Sequence, residues 1–454
     1  MNIEDGGRGI VLPKWLSERK TSKGGRERLK PQSAWPSRQG CKNPTASAVR
    51  SMSKILPSEA AELRMMSRKL YKVFQKACDV ARQGGEKFLS DMEIPRKLWP
   101  YLSIPNPLGV PTWLSRFDFV KDKKLGFRMV ELNADTPCAV IEAYYGNGMY
   151  CGKQAWLDPN AGEREKLKMF LRKVFHAGFH PTADLSNGRI VAAKPFVFSC
   201  FPDYIEDYGT TMYLMNTMKE AVRDESPVVP VDDSIRFASF YNLRVDKDTG
   251  DCVIPGGTIA GGLYRLHPLE ILVDEESEDG YPIGTRLLDG CADGRFVMMN
   301  PCESILMQSK AFQALVWSLY LDGRFYNSDE QRLIKGCLLP TFFSEEDCAE
   351  GTTYIEKPIW GREGLGIRVR RDGKTVFKKE VPNEDDVVRR DSESTVFQQF
   401  ANQPTERILT DEGRPEGYVT YSCFMLGELP SALYARFSPE EVAGTEAYWL
   451  PLTY

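Results

Sequence analysis

Residues 112–148, TWLSRFDFVKDKKLGFRMVELNADTPCAVIEAYYGNG, contain two short runs that predict an antiparallel hairpin. Residues two apart on a strand share a face, so the run Ser115 to Val120 turns its two phenylalanines one way and Arg116 and Asp118 the other. The run Phe127 to Asn133 alternates in the same manner, and the polar loop between the runs ends in glycine. The stretch therefore predicts a hairpin with one apolar and one polar face.

The polar face of this hairpin gathers groups that suit a metal. Pairing the strands with Asp118 opposite Glu131 brings both carboxylates onto one surface with Arg116 and Asn133. Hard oxygen ligands of this kind hold magnesium, which commonly shares phosphate oxygens, and a neighbouring arginine can steady a transferring phosphoryl group. The plainer alternative is a solvated polar face, because such alternation is common in antiparallel sheets.

The composition is that of a soluble globular protein. The chain has 454 residues, of which 42% are hydrophobic and 27% charged, and this length can form two or three domains' worth of core. It contains neither an apolar run of 18 residues nor an N-terminal apolar segment of signal-peptide type, so no membrane partner is expected. Eleven scattered cysteines without a CxxC motif favour a reducing, cytoplasmic location, and three histidines argue against a histidine-based zinc site.

Charge divides the chain near residue 56. Residues 1–56 hold 12 Lys and Arg against 4 Asp and Glu, a net charge of +8, so residues 57–454 carry −12. With few large apolar residues, 1–56 is expected to be a basic disordered extension, and 57–454 the folded domain. A nucleic-acid or membrane-surface tail is the alternative, and nucleic acid is the less favoured partner.

The elements around the hairpin are predicted from hydrophobic periodicity. Apolar residues at helical spacing predict a long helix from an N-cap at Ser58 to about Gln83, and an apolar alternating run predicts a core strand from Arg189 to Ser199. Glu206 and Asp207 follow that strand, where they could bind an amine. The alternative is a solvated loop before a helix from Thr211 to Val222.

The turn after the hairpin carries a proline and a cysteine. Pro137 at a first helical position would start a helix over Ala139 to Tyr145, with its N-terminus beside the polar face. Cys138 could be a nucleophile, but no histidine lies near it in the sequence. A small buried thiol is therefore the favoured interpretation of Cys138.

A second informative stretch, Thr352 to Val369, predicts strand, glycine-rich turn and strand. Lys357 ends the first strand, and the following glycines would let the backbone approach a phosphate closely. Lys310 lies on a predicted helix, and the short strand Thr395 to Phe400 could offer backbone groups to adenine. Any glycine-rich hairpin would share this pattern, so a purely structural hairpin is the alternative.

Together these blocks resemble the synthetase domain of the glutathionylspermidine synthase family. The resemblance runs from about residue 57 to the C-terminus and implies an α/β (α+β) chain with an ATP-grasp fold and a pre-ATP-grasp-like domain. The matching blocks are Arg116 to Asp118, Glu131 to Pro137, Glu206 to Thr210, Lys357-Pro358 with Gly361 to Gly364, and Phe397 to Phe400.

The resemblance also implies roles for single residues, with ATP and Mg²⁺ as cofactors. Arg116 would stabilise the transition state of phosphoryl transfer. The implied magnesium ligands are Asp118, Glu131 and Asn133. The implied ATP contacts, besides Arg116, are Lys310, Lys357, Gly364, Leu365, Phe397, Gln398, Gln399 and Phe400. The implied lining of the acceptor and carboxylate pocket is Thr136, Cys138, Glu206 and Asp207.

The chain also departs from the family pattern. Residues 1–56 are too short for the amidase domain of bifunctional members, so the chain resembles the stand-alone ligase branch. Leu266 and Ile271 are apolar where bifunctional members place hydroxyls, and Arg436 lacks the acidic residue that usually follows it.

The resemblance predicts an ATP-dependent carboxylate–amine ligase acting on small molecules. The apolar positions favour an acceptor amine that is shorter or less polar than spermidine. A peptide ligase with another acceptor and a non-catalytic nucleotide-binding protein are the alternatives.

Overall fold

The computed structural model describes residues 51–184, 189–379, 394–410, 413–444 and 446–454. Its α-helices are α1 (Pro57–Gln83), α2 (Gly85–Asp91), α3 (Asn147–Gln154), α4 (Glu163–Gly178), α5 (Ile205–Glu225), α6 (Val231–Ser234), α7 (Leu269–Leu272), α8 (Ile283–Ala292), α9 (Ser304–Gln308), α10 (Lys310–Asp322) and α11 (Ser328–Cys337). None of the helices in these ranges is both long and apolar enough to cross a membrane.

The strands alternate with these helices along the chain. They are β1 (Ser53–Lys54), β2 (Leu114–Asp122), β3 (Gly126–Asn133), β4 (His180–Asp184), β5 (Arg189–Lys194), β6 (Phe196–Ser199), β7 (Ile235–Phe237), β8 (Arg244–Val245), β9 (Cys252–Ile254), β10 (Thr258–Ile259), β11 (Gly262–Arg265), β12 (Val297–Met299), β13 (Thr341–Phe342), β14 (Thr353–Pro358), β15 (Arg368–Arg371), β16 (Lys374–Lys378), β17 (Thr395–Gln399), β18 (Glu406–Arg407), β19 (Glu416–Leu426), β20 (Leu429–Ser438), β21 (Tyr448–Trp449) and β22 (Leu452–Thr453). The mixture of helices and sheets confirms the predicted α/β class.

Three sheets position the site described below. The central sheet has the order β21–β20–β19–β2–β3 and is antiparallel, with β18 also pairing with β19. A second sheet, β12–β11–β6–β7, is parallel and is called the parallel sheet below. A third, β13–β17–β14–β15–β16, is antiparallel and is called the lysine sheet, because β14 carries Lys357.

The long helix α1 packs on the apolar face of the hairpin β2–β3. Phe117 and Phe119 are fully buried there, and the ring of Phe74 from α1 meets Phe117 edge-on with the centroids 5.8 Å apart. Phe74 also contacts Phe312 of α10, at 5.7 Å between centroids. Burial of these large rings is strongly stabilising, so the polar side chains of β2 are forced to the opposite face.

The register of the hairpin is the predicted one over its polar residues. Asp118 pairs with Glu131 and Arg116 with Asn133, and a bulge follows Asp118. The bulge inserts Val130 as an extra residue, since the next pair along is Phe119 with Met129. Val130 therefore leaves the apolar side expected of it and packs in a small separate cluster with Val120, Leu339 and Ala401.

Several predicted element boundaries are wrong. The strand expected over Arg189 to Ser199 is broken at Pro195, because proline cannot donate to a ladder. The helix expected from Thr211 begins at Ile205, so Glu206 and Asp207 lie in its first turn and not in a loop.

The helix after the hairpin also differs from its prediction. The helical run begins at Val140 and not at Pro137, since Ala139 has a φ of 69° and precedes it. A π-helical turn, Glu142–Gly146, follows and leads into α3. A single helical sequence pattern gives no sign of such a turn.

The folded chain extends before the predicted boundary at residue 57. Ser53 and Lys54 form β1, which pairs in parallel with β22 at the C-terminus. Ser53 and Lys54 therefore belong to the packed structure, although the charge pattern groups them with the extension. The rest of that predicted extension, residues 1–50, lies outside the described residues.

Candidate active site

Arg116 and Asp118 form a buried, two-point ion pair on β2. Arg116 Nε lies 2.7 Å from Asp118 Oδ1, and its Nη2 lies 2.9 Å from Oδ2. The third nitrogen, Nη1, donates to the Cys138 carbonyl at 2.7 Å. Burial alone would lower the pKa of Arg116, but the Asp118 charge raises it, so the guanidinium stays charged. Arg116 thus links the hairpin to the turn that follows it.

A second arginine, Arg436, joins this surface from β20. Its Nη2 lies 3.5 Å from Asp118 Oδ2 and 3.6 Å from Glu131 Oε1. Its Nε is buried and has no hydrogen-bond partner among the described residues. In the sequence, Arg436 is notable only because the acidic residue that usually follows it in the family is missing. A charged residue on a strand that pairs with β19, and through it with β2, was the missed signal.

Glu131 lies at the centre of the positive charges. Burial would raise its pKa, but Lys310, Arg436, Lys357 and Arg116 together outweigh that effect and lower the pKa to about 2. The carboxylate is therefore ionised at neutral pH. Its side chain is 28% exposed, so it remains accessible from the cleft.

The predicted magnesium ligands lie together on this face. Asn133 Nδ2 donates to Asp118 Oδ2 at 3.3 Å, and Glu131 is the ladder partner of Asp118. The donor set is two carboxylates and one amide oxygen, which suits Mg²⁺ chemically. Among the described residues there is no cluster of three or more His, Cys, Asp or Glu that could hold a metal.

Lys357 reaches the same surface from the lysine sheet. Its Nζ donates to the Val130 carbonyl at 3.2 Å, at the bulge of β3, and to Gln398 Oε1 at 2.7 Å. Burial lowers the pKa of Lys357 to about 8, Glu131 opposes that decrease, and Lys310 adds to it. A buried ammonium with so low a pKa would gain from an anionic ligand.

The predicted adenine segment, Phe397 to Phe400, lies on and just after β17. The Gln398 side chain is buried and donates to Gln313 Oε1 at 3.1 Å and to Thr341 Oγ1 at 3.2 Å. The backbone N–H groups of Gln399 and Phe400 also donate to neighbouring strands. Gln398 therefore orients Lys357, while the adenine contact of the segment stays a prediction.

Lys310 and the glycine-rich turn meet at the entrance to this cleft. Lys310 is the first residue of α10, and its Nζ donates to the Gly361 carbonyl at 2.6 Å. The turn Gly361 to Gly366 is called the Gly-rich loop below. Gly364 has a φ of 72°, and a Cβ there would lie 2.7 Å from the Ala443 carbonyl oxygen, so only glycine fits. Leu365 is buried within the loop.

Cys138 differs from its prediction. Its residue is exposed, so the favoured interpretation of a small buried thiol is wrong. Its backbone carbonyl accepts a hydrogen bond from Arg116, and its thiol is within electrostatic range of both Arg116 and Arg362. Thr136, two residues earlier, accepts a hydrogen bond from Arg362 Nη1 at 3.5 Å.

The predicted acidic side of the pocket contains three carboxylates, those of Glu142, Glu206 and Asp207. Glu206 and Asp207 occupy the first turn of α5, at the carboxyl end of β6 in the parallel sheet. Glu142, which sequence reasoning missed, opens the π-helical turn. Burial raises the pKa of Glu142 to about 7, and the charge of Glu206 adds to the increase while Arg116 opposes it. Glu142 therefore responds both to the acidic end of α5 and to Arg116 of the hairpin.

The apolar wall expected at Leu266 is not separate from the core. Leu266 is 5% exposed and packs among residues of β6, β11 and α5, and Ile271 is only partly buried. The preference for a less polar amine therefore stays a prediction from sequence.

Comparison with known proteins places the chain beside a protein family and a named relative. The family model described as glutathionylspermidine synthase pre-ATP-grasp matches residues 46–453. A Haemophilus influenzae protein with the name "Putative acid--amine ligase" is 22% identical over 358 residues, which cover 75% of this chain and 74% of that protein. The family match confirms the resemblance found in the sequence and the predicted relation to the ATP-grasp fold.

Proposed function

Because the chain belongs to the glutathionylspermidine synthase pre-ATP-grasp family, we propose that it is an ATP-dependent carboxylate–amine ligase. A carboxylate oxygen of one substrate attacks the γ-phosphorus of ATP, which gives an acyl phosphate and ADP. The amine nitrogen of the second substrate then attacks the acyl carbon, phosphate leaves, and the nitrogen loses a proton. The main support is a cluster of cations at the polar face of the hairpin: Arg436 lies 3.6 Å from Glu131, Arg116 pairs with Asp118, and Lys357 donates to the Val130 carbonyl.

That convergence fits phosphoryl transfer. Such chemistry depends on positioning and on neutralising charge over the phosphoryl oxygens. Asp118, Glu131 and Asn133 would hold Mg²⁺, which supplies positive charge to the phosphates when it is bound. Arg436 keeps a buried Nε without a partner among the described residues, which suits a donor to an incoming anion.

The two lysines have separate parts in this proposal. Lys357 enters from β14 and Lys310 from the start of α10, so they reach the phosphates from different elements. Gly364 and Leu365 of the Gly-rich loop would cover the nucleotide. Phe397, Gln398, Gln399 and Phe400 would lie along adenine, as the family resemblance implies.

The amine is proposed to bind on the acidic side of the pocket. Glu206 and Asp207 attract a protonated amine and lower the cost of burying its charge. Thr136 and Cys138 lie in the turn after the hairpin, and Arg116 donates to the Cys138 carbonyl. The carboxylate substrate would therefore lie near the turn, with the amine approaching from α5.

The test is ADP release from a panel of carboxylates and amines with Mg²⁺. The proposal expects ADP to appear only when an accepted carboxylate is present, and amide product only when both substrates are. Release of AMP, or nucleotide binding without any turnover across the panel, would contradict the ligase proposal and favour a non-catalytic nucleotide-binding protein.

The same panel tests the acceptor. Shorter or less polar amines should have higher kcat/KM values than spermidine, and Glu206→Gln should lower kcat/KM for every cationic amine. If spermidine is clearly the best acceptor, the acceptor prediction is wrong while the ligase proposal stands.

A further inference from the structure

Arg362 of the Gly-rich loop forms an ion pair with Glu270 of α7. Arg362 Nη2 lies 2.5 Å from Glu270 Oε1, and the Glu270 side chain is only 5% exposed. The same guanidinium donates to the Thr136 hydroxyl. Arg362 thus belongs by sequence to the loop proposed to cover ATP, yet its charge is neutralised by a residue of α7, the helix that follows β11 of the parallel sheet.

Glu270 and Thr136 are held in place by one buried group. Asp135, directly before Thr136, accepts from the backbone N–H of Leu269, directly before Glu270, at 3.0 Å. Asp135 also pairs with Arg265 at 2.5 Å, and both side chains are fully buried. The Asp135–Arg265 pair therefore fixes the two partners of Arg362 relative to each other.

We propose that Glu270 is a positioning residue that docks Arg362, and with it the Gly-rich loop, onto the carboxylate and amine pocket. The inference rests on the proposed ligase function. Because Arg362 also touches Thr136 of that pocket, a substrate that contacts Thr136 acts on the same guanidinium that anchors the loop. Closure of the loop over the nucleotide and occupation of the pocket are therefore energetically coupled.

Removing the Glu270 charge would leave the partly buried guanidinium of Arg362 without its carboxylate partner. Loss of a hydrogen bond to a charged group commonly corresponds to a change of roughly ten- to a hundredfold in an equilibrium. The loop should then undock more often, although the strands on either side of it, β14 and β15, remain paired. The effect should be confined to the loop and to substrate binding.

The experiment combines hydrogen exchange with kinetics on the full chain. In Glu270→Gln, amide exchange over residues 360–367 should become at least about tenfold faster without added nucleotide. The KM for the carboxylate and the Kd for Mg²⁺ with AMP-PNP should both rise, with a smaller change in kcat. Arg362→Met should give the same changes, and the double variant should add little to either.

The matched control is Glu345→Gln. Glu345 pairs with Arg370 of the lysine sheet at 3.2 Å, and its side chain is 44% exposed. This variant should leave loop exchange and both constants unchanged. Unchanged loop exchange in both Glu270→Gln and Arg362→Met would overturn the inference, as would additive effects in the double variant. Wild-type protein that releases no ADP would instead overturn the ligase proposal, whereas loop exchange would still decide the docking.

Discussion

Asp118 on the hairpin and Lys357 on the lysine sheet are both buried charged groups, but their partners come from different distances along the chain. Asp118 pairs with Arg116, two residues away on the same strand. Lys357 donates to the carbonyl of Val130, 227 residues away, and to Gln398 on the neighbouring strand. The strand geometry of the hairpin alone therefore brings Arg116 and Asp118 together. The surroundings of Lys357 form only when the lysine sheet packs against the central sheet.

This difference has a consequence for how each region responds to change. Arg116 and Asp118 pair with each other inside the hairpin, so a substitution of either residue should lower both the stability and the catalytic rate. The lysine sheet presents an ammonium that is held by neutral oxygens of Val130 and Gln398. A change there should be felt mainly in nucleotide binding, because no buried carboxylate is left unpaired by it.

The largest effect is expected at Glu131. Glu131→Ala should lower the rate of ADP formation by at least about 100-fold, because it removes a proposed magnesium ligand and the centre of four positive charges. The fold should survive, since the side chain is 28% exposed. Glu416→Ala, at the exposed start of β19 in the same sheet, is the control and should be close to wild type. Near-normal turnover in Glu131→Ala would remove Glu131 from the mechanism.

The next effect compares the stability of the two regions directly. Asp118→Asn should lower the free energy of unfolding by roughly 3–5 kcal/mol, because it leaves the Arg116 charge buried without its partner. Glu345→Gln, which breaks the exposed pair with Arg370 on the lysine sheet, should cost about 1 kcal/mol or less. Urea unfolding of both variants measures the two values. Equal losses would show that the hairpin pair contributes no more than a surface pair.

The same contrast explains what the sequence could predict. Alternation along the hairpin placed Arg116, Asp118, Glu131 and Asn133 on one face, because strand geometry repeats every two residues. The bulge at Val130 could not be predicted, since it shifts the register by one residue without a glycine or proline to mark it. Its effect is nevertheless local and leaves the polar face intact.

Contacts across the chain were beyond the sequence pattern. Arg436 and Arg362 enter the site from a distant strand and from a loop, and neither position has a periodicity that separates it from a surface arginine. Glu142 was missed because a helical sequence pattern does not separate it from a surface glutamate, and it opens a π-helical turn that the pattern does not predict. The family resemblance supplied Lys310 and Lys357, for which spacing alone offered only a surface helix and a glycine-rich hairpin.

A smaller effect is expected at Lys357. Lys357→Met should raise the Kd for Mg²⁺ with AMP-PNP by roughly 10- to 100-fold, since it removes a charged donor to the phosphates. The pKa of Lys357 is about 8, so wild-type affinity should also fall as the pH rises from 7 to 9 and the ammonium loses its proton. Calorimetry across that range measures both, and Lys357→Arg should keep its affinity to higher pH. An unchanged Kd in Lys357→Met would make the glycine-rich segment a structural hairpin.

The smallest effect is expected at Glu142, which tests how far the charge of the hairpin extends. Its pKa is about 7 in the folded protein against 4.5 for an ordinary glutamate, so between these values the folded state binds the extra proton. Wild-type protein should therefore lose stability relative to Glu142→Gln as the pH rises from about 4.5 to 7. Over the same range kcat/KM for a cationic amine should increase, because the ionised carboxylate attracts it. Urea midpoints and kcat/KM profiles that run parallel in the two proteins would show that Glu142 does not titrate there. A midpoint difference without a kcat/KM difference would place Glu142 outside the amine site and leave the acidic helix end, Glu206 and Asp207, to bind the acceptor.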